Sequence, residues 1–211
     1  MSPVNGYSVR LVPVSLTALR AALAPALLVI AYRGGSHWAF GLCLTVAFLS
    51  DVLDGMLARR LGVATSRLRR LDSATDSIFY LMALYCVWHL HREALASRAG
   101  PILTLAALEA IRYGFDWVKF RREASYHMWS SKLWGVALFA AFFSLLALGS
   151  DNATTGMAVY IGIVADIEGL AISLVLKNWQ ADVPTLIHAV RRRGAGHEHL
   201  ARTFARRSPL G

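Results

Sequence analysis

The sequence predicts an all-α, polytopic membrane protein with six transmembrane helices and both termini on the cytoplasmic side. Three observations predict it. Of the 211 residues, 56% are hydrophobic and 17% charged, and the mean hydropathy is +0.46, a membrane composition rather than a soluble one. The apolar residues fall in blocks of about 17 to 20 that are almost free of ionic groups, long enough to cross a bilayer as helices. Lysines and arginines gather in alternate connections, as the positive-inside rule requires.

The spans fall at 15–32, 37–57, 72–90, 101–118, 133–149 and 157–176. Helix is the element for all six, because lipid offers the backbone no partners and the blocks are too long and too weakly alternating for barrel strands. Arg10 ahead of an apolar run superficially resembles a signal peptide, but no convincing small-residue cleavage site precedes a soluble mature domain, so the run is read as the first membrane helix. Pro25 lies inside it and is a kink position, whereas Pro101 suits the opening turn of the fourth span.

Arg10 and Arg20 precede or open the first span, and Arg59, Arg60, Arg67, Arg69 and Arg70 lie between the second and third. Lys119, Arg121, Arg122 and Lys132 lie between the fourth and fifth. Lys177, Arg191, Arg192, Arg193, Arg202, Arg206 and Arg207 follow the sixth. The opposite side carries only Arg33, Arg92 and Arg98, and Arg112 sits within the fourth span. An odd number of spans would place a basic segment on the wrong side.

Residues 1–14 thus form a cytoplasmic N-terminal segment, 15–177 the transmembrane domain and 178–211 a cytoplasmic extension. In the extension, Asp182 through Pro184 to Val190 reads as a capped short helix at the interface. The basic stretch from Gly194 to Gly211 reads as a disordered tail attracted to anionic lipid. No internal repeat is visible.

The net charge of +9 does not point to nucleic acid, because the basic residues sit in short segments between apolar blocks rather than along one solvent face. Cys43 and Cys86 fall inside apolar blocks and read as small buried hydrophobes.

The chemistry concentrates between Asp51 and Asp76. Asp51 and Asp54 stand three apart at the end of the second span, and Asp72 and Asp76 four apart at the start of the third, so each pair shares one helical face. The second span runs inward and the third outward, and the hairpin brings all four carboxylates to one depth near the cytoplasmic side. Such a cluster repels itself and is costly to ionise near a bilayer. Two compensations are open: arginines of the connecting loop, or hard divalent cations, which oxygen ligands from two facing helices suit. Gly55 and Ala58 on the following turn let a ligand or a helix approach the backbone, and Arg59 offers a forked phosphate donor.

Together these residues read DxxDGxxAR from Asp51 to Arg59, followed by DxxxD at Asp72 and Asp76. The pattern resembles the signature of the CDP-alcohol phosphotransferase family. The family has a glycine four residues before the third aspartate, where this chain has Leu68. Thr17, Arg20 and Pro25 form a TxxRxxxxP run similar to the first membrane helix of many members, with Val14 where an asparagine is often seen.

The resemblance implies a membrane enzyme of phospholipid synthesis in which Asp51, Asp54, Asp72 and Asp76 hold two divalent ions, Mg²⁺ or Mn²⁺, that grip the diphosphate of a CDP-linked lipid donor. Asp76 would also be the general base. Gly55, Ala58, Arg59 and Thr17 would line the donor site, CMP would leave, and the molecule would act as a homodimer in a bacterial-type inner membrane. The expected donor is CDP-diacylglycerol, and the expected acceptor is a hydroxyl compound that itself carries phosphate, such as glycerol 3-phosphate or another phosphorylated polyol. Arg112, Lys119, Arg121 and Lys132 are the candidate acceptor residues, with Arg122 beside them. Against that, Arg112 would pair with Glu109 or Glu168 inside the bundle while the others obey the positive-inside rule. Asp166 and Glu168 read as partnered packing groups, and Tyr126, His127 and Trp129 as interfacial anchors.

Two other readings remain. A phosphotransferase of the same family would use CDP-choline or CDP-ethanolamine with diacylglycerol as acceptor. A cation transporter would also place acids in the membrane, but spread over its depth or in paired broken helices.

Overall fold

The computed structural model describes residues 6–61, 65–122, 126, 128–180 and 183–191, and the side chains of these residues except at 6–13, 58, 59, 66, 67 and 69. Every regular element among the described residues is helical: α1 (Gly6–Tyr32), α2 (His37–Arg60), α3 (Ser66–Leu90), α4 (Arg92–Ala96), α5 (Ala99–Phe120), α6 (Trp129–Phe142) and α7 (Ala153–Val175). A π-helical segment, Phe143–Ala147, continues α6, and a short helix occupies 186–191. α1 begins at Gly6, upstream of its apolar run, and continues through Pro13 and Pro25.

Among the described residues, four stretches are long and apolar enough to cross a membrane: Val14–Tyr32, His37–Leu57, Trp129–Ala147 and Ala153–Val175. The expected third and fourth spans fall on α3 and α5, which have 25 and 22 residues and at about 1.5 Å per residue match the roughly 30 Å of a hydrocarbon core. Their ionic residues set them apart. α3 opens with Arg67, Arg69, Arg70, Asp72 and Asp76, and α5 carries Glu109, Arg112, Asp116 and Lys119.

The described chain divides into two compact units, Met1–Ser97 with Phe139–Thr155, and Arg98–Leu138 with Gly156–Gly211. In the first, three helices meet along stripes of helical period. α1 buries Thr17, Arg20, Ala24, Leu27 and Ala31; α2 buries Phe40, Cys43, Leu44, Ala47, Ser50 and Asp54; α3 buries Thr75, Phe79, Ala83, Cys86 and Val87. The steps of three and four residues keep each stripe on one face. Each stripe is apolar over most of its length and turns polar at one end, so the seam that packs the helices also collects the polar groups. Both cysteines are free and buried in it.

α3 starts at a cap: Leu68 N–H donates to Thr65 Oγ1 at 3.2 Å, and Thr65 has the extended backbone of an N-cap. Leu68 therefore lies in a helical first turn, where the chain needs no glycine.

In the second unit, Tyr126, Met128, Ile172, Leu176, Val183 and Ala189 form a core flanked by Phe120, Val175 and Leu186. Glu168 ties this segment down, accepting from Ser130 Oγ at 2.6 Å and from Leu186 N–H at 3.3 Å. Of the expected capped helix at 182–190, residues 186–190 are helical, and Asp182 lies outside the described residues.

Candidate active site

Arg20 on α1 is 2% exposed and stands among four carboxylates. Its Nη1 lies 3.1 Å from Asp51 Oδ1 and 3.1 Å from Asp72 Oδ1, and contacts Asp76 Oδ1 as well. Its Nη2 donates to Asp54 Oδ2 at 2.5 Å. Thr17, one turn earlier on the same face, donates to Asp54 Oδ2 at 3.5 Å. Asp54 is the most enclosed of the four at 3% exposure, while Asp51, Asp72 and Asp76 are half-buried.

Among the described side chains one guanidinium meets the four carboxylates and offsets only part of their charge, an arrangement that favours cations. Asp51, Asp72 and Asp76 each bring an oxygen within 4.8 Å of the others. An all-oxygen set from two helices, partly open to the outside, fits a hard divalent cation. Asp54 stands beside this trio, held by Arg20 and Thr17.

A pocket adjoins the cluster, lined by Arg20, Asp51, Asp76, Phe48, Phe79, Tyr80, Phe139 and Phe142 among others. Phe48 stacks on Phe139 with ring centroids 4.4 Å apart, and Tyr80 on Phe142 at 6.1 Å. The π-helical turn follows directly, and the Leu146 carbonyl within it lies 3.2 Å from His37 Nδ1. One wall of the pocket is thus ionic and the other aromatic.

Sequence reasoning looked to arginines of the loop between the second and third spans, and the side chains of Arg59, Arg67 and Arg69 lie outside those described; among the described side chains the guanidinium that meets the acids comes from α1. The signal was an arginine inside an apolar run, three residues after Thr17 and so on its face. Tyr80 was also missed, although it lies four residues after Asp76. Gly55 is half-buried on α2, and the side chains of Ala58 and Arg59 lie outside those described.

The candidate acceptor residues belong to the second unit. Arg112 Nε lies 3.1 Å from Asp166 Oδ1, an acid 2% exposed, which corrects the expected pairing with Glu109 or Glu168. Gly169 lets the arginine cross α7, since a Cβ there would lie 3.0 Å from Arg112 Cδ. Lys119 Nζ donates to the Ser173 carbonyl at 2.7 Å and the Leu174 carbonyl at 3.3 Å. Arg121 caps α5 with a φ of 54°, and Lys132 lies over the Trp129 ring at 4.6 Å. Arg112 and Lys119 thus have protein partners, while Arg121 and Lys132 are exposed. Tyr126 is buried rather than interfacial, its hydroxyl 3.0 Å from Ser173 Oγ, and burial raises its pKa above the ordinary phenol value. Trp129 is exposed, and His127 lies outside the described residues.

A family model described as CDP-alcohol phosphatidyltransferase matches residues 10–172. The chain belongs to this family. The match takes in α1 from Arg10, the whole aspartate cluster and α7 as far as Ile172. No curated protein and no solved structure matches the chain. Family membership makes the chain a transferase of phospholipid synthesis, acting on a CDP-linked alcohol. Divalent metal is a typical requirement of CDP-alcohol phosphatidyltransferases, and the three-aspartate cluster could hold one.

Proposed function

We propose that this CDP-alcohol phosphatidyltransferase transfers a phosphatidyl group from CDP-diacylglycerol to the hydroxyl of a small phosphorylated polyol, glycerol 3-phosphate or a relative of it, and releases CMP. The observation that carries the reading is the convergence of Asp51, Asp54, Asp72 and Asp76 from α2 and α3 on one buried arginine of α1. Asp51, Asp54, Asp72 and Asp76 would hold Mg²⁺ or Mn²⁺. Bound there, the metal neutralises the donor's diphosphate and acidifies the acceptor hydroxyl.

The chain's own groups do the rest. An Asp76 carboxylate oxygen takes the acceptor's hydroxyl proton. The freed oxygen attacks the phosphorus that bears diacylglycerol, the bond from that phosphorus to the oxygen shared with CMP breaks, and CMP leaves with the bonding electrons. Gly55, Ala58, Arg59 and Thr17 would line the nucleotide site, Arg59 as a forked donor to phosphate. The aromatic wall of Phe48, Phe139 and Phe142 suits the apolar part of the lipid.

Arg112, Lys119, Arg121 and Lys132 are the proposed acceptor residues, their positive charge matching a phosphate. With α3 and α5 taken as spans the chain crosses the membrane six times, both termini and the aspartates face the cytoplasm, and a homodimer sits in a bacterial-type inner membrane. The strong bias of Lys and Arg toward one side supports this orientation.

The test is CMP release by the purified protein in lipid, with CDP-diacylglycerol, Mg²⁺ or Mn²⁺, and a panel of glycerol 3-phosphate, inositol phosphate, inositol and serine. Release that depends on the metal and on one phosphorylated acceptor is expected. Release with CDP-choline or CDP-ethanolamine and diacylglycerol, but not with CDP-diacylglycerol, would reverse the roles of the lipid. No release in either assay would reopen a cation-transport reading of the acids.

A further inference from the structure

Arg20 spends its guanidinium unevenly. Nη1 serves Asp51, Asp72 and Asp76, and Nη2 serves Asp54, yet Nε is buried with no hydrogen-bond partner among the described residues. The three aspartates on Nη1 are the same three whose oxygens converge within 4.8 Å. A divalent cation held there would therefore draw on the oxygens that now neutralise Arg20. The two positive groups repel each other across a shared set of ligands.

Arginine cannot relieve this by losing its proton, and at 2% exposure its side chain has little water to turn to. Asp54 would stay on Nη2, but Nη1 and the Nε–H would be left as charged donors without acceptors, and such donors suit an anion that offers several oxygens. The anion that arrives beside a metal at this site is the diphosphate of the donor.

We infer that Arg20 is a substrate-binding residue that exchanges partners, yielding Asp51, Asp72 and Asp76 to the divalent cation and taking the donor's diphosphate oxygens with Nη1 and its Nε–H. The inference rests on the proposed function for the identity of the anion, though not for the competition with metal. It carries a signature that a plain counter-ion lacks. Removing the charge must change the affinities for cation and anion in opposite directions.

The experiment uses full-length protein in detergent, comparing wild type with Arg20→Gln and Arg20→Lys. Mn²⁺ alone is titrated first by the electron paramagnetic resonance of the free ion, then CDP at saturating Mn²⁺ by calorimetry, with thermal unfolding recorded with and without Mn²⁺. Arg20→Gln is expected to bind Mn²⁺ about tenfold more tightly and CDP about tenfold or more weakly, as the loss of a charge-assisted hydrogen bond implies. Arg20→Lys keeps the charge but not the fork, so its Mn²⁺ affinity stays within about threefold of wild type while CDP binding still weakens. Folding of Arg20→Gln only when Mn²⁺ is present would also support the exchange. Both affinities falling together in Arg20→Gln, or neither moving, would overturn it. If Arg20→Gln fails to fold with and without Mn²⁺, Arg20→Lys decides, and unchanged CDP affinity there overturns the inference. A wild type that binds Mn²⁺ but not CDP would sink the proposed function and with it the anion half of the inference, leaving the Mn²⁺ comparison to judge the competition.

Discussion

Replacing Asp76 by asparagine separates chemistry from architecture. The side chain keeps its shape and can still accept from Arg20, but it loses its charge and its ability to take a proton. Asp76 is 29% exposed and is one of four carboxylates on the same guanidinium. The loss leaves Arg20 with three acidic partners and relieves some repulsion among them. A partly exposed pair contributes about 1 kcal/mol or less, so the unfolding free energy should move by no more than about 1 kcal/mol. A missing general base costs about 10²- to 10⁴-fold in rate, which at about 1.4 kcal/mol per decade is roughly 3 to 5 kcal/mol of barrier.

The assay is CMP release from CDP-diacylglycerol at saturating acceptor, run beside thermal unfolding of the same preparation. The expected result is a large rate loss on a stable fold. Retention of more than about a tenth of the wild-type rate would refute the assignment of Asp76 as base. Restoration of the rate by excess Mn²⁺ would do so differently, by making Asp76 a ligand alone. Unfolding weakened by about 3 kcal/mol or more would show that the carboxylate belongs to the architecture.

Leu68→Gly, which restores the family's glycine, should destabilise the start of α3 by about 1 kcal/mol, because the position is helical and capped by Thr65; a raised melting temperature would contradict that. Glu168→Gln weakens the acceptor that holds both Ser130 and Leu186 N–H, and hydrogen exchange should quicken across 183–191 while 66–90 stays unchanged. In a background with Cys43 and Cys86 replaced by alanine, Arg92→Cys should react with a membrane-impermeant maleimide added to intact cells and Arg122→Cys should react only after lysis; the reverse pattern would invert the proposed topology.

Much of this was legible in the sequence because it depends on period and charge. The blocks that became α1, α2, α6 and α7 stand out by length and apolarity, and spacings of three and four put Asp51 with Asp54, and Asp72 with Asp76, on single faces. What period cannot reveal is which long-range partner a charge will meet. Arg20 belongs to the first apolar run and its partners lie 31 to 56 residues away, at Asp51, Asp54, Asp72 and Asp76. No local pattern encodes that meeting. Arg112 is the same case in the second unit, where Glu109 and Glu168 were the partners considered inside the bundle and Asp166 is the acid that it meets. The ionic groups on α3 and α5 are what keep these two helices out of the apolar class that composition alone picks out.

The packing of the first unit also links stability to occupancy of the site. Ala24, Leu27 and Ala31 on α1, Phe40, Leu44 and Ala47 on α2, and Phe79, Ala83 and Val87 on α3 bury an apolar seam whose continuation is the acid cluster. The same helix contacts therefore supply the favourable burial and bring four carboxylates together, with Arg20 between them. A fold built this way has repulsion in reserve that a bound cation relieves. Any ligand that binds only the folded state adds stability by mass action, about 2.7 kcal/mol at a concentration one hundred times its dissociation constant. Because the repulsion sits on the seam itself, relief should be felt along α1, α2 and α3 together rather than only at the loop joining α2 to α3. Hydrogen exchange with and without Mn²⁺ should then show protection reaching from Asp51 and Asp76 toward Leu27 and Ala83, and protection confined to the two helix ends would mean that the acids and the seam are energetically separate.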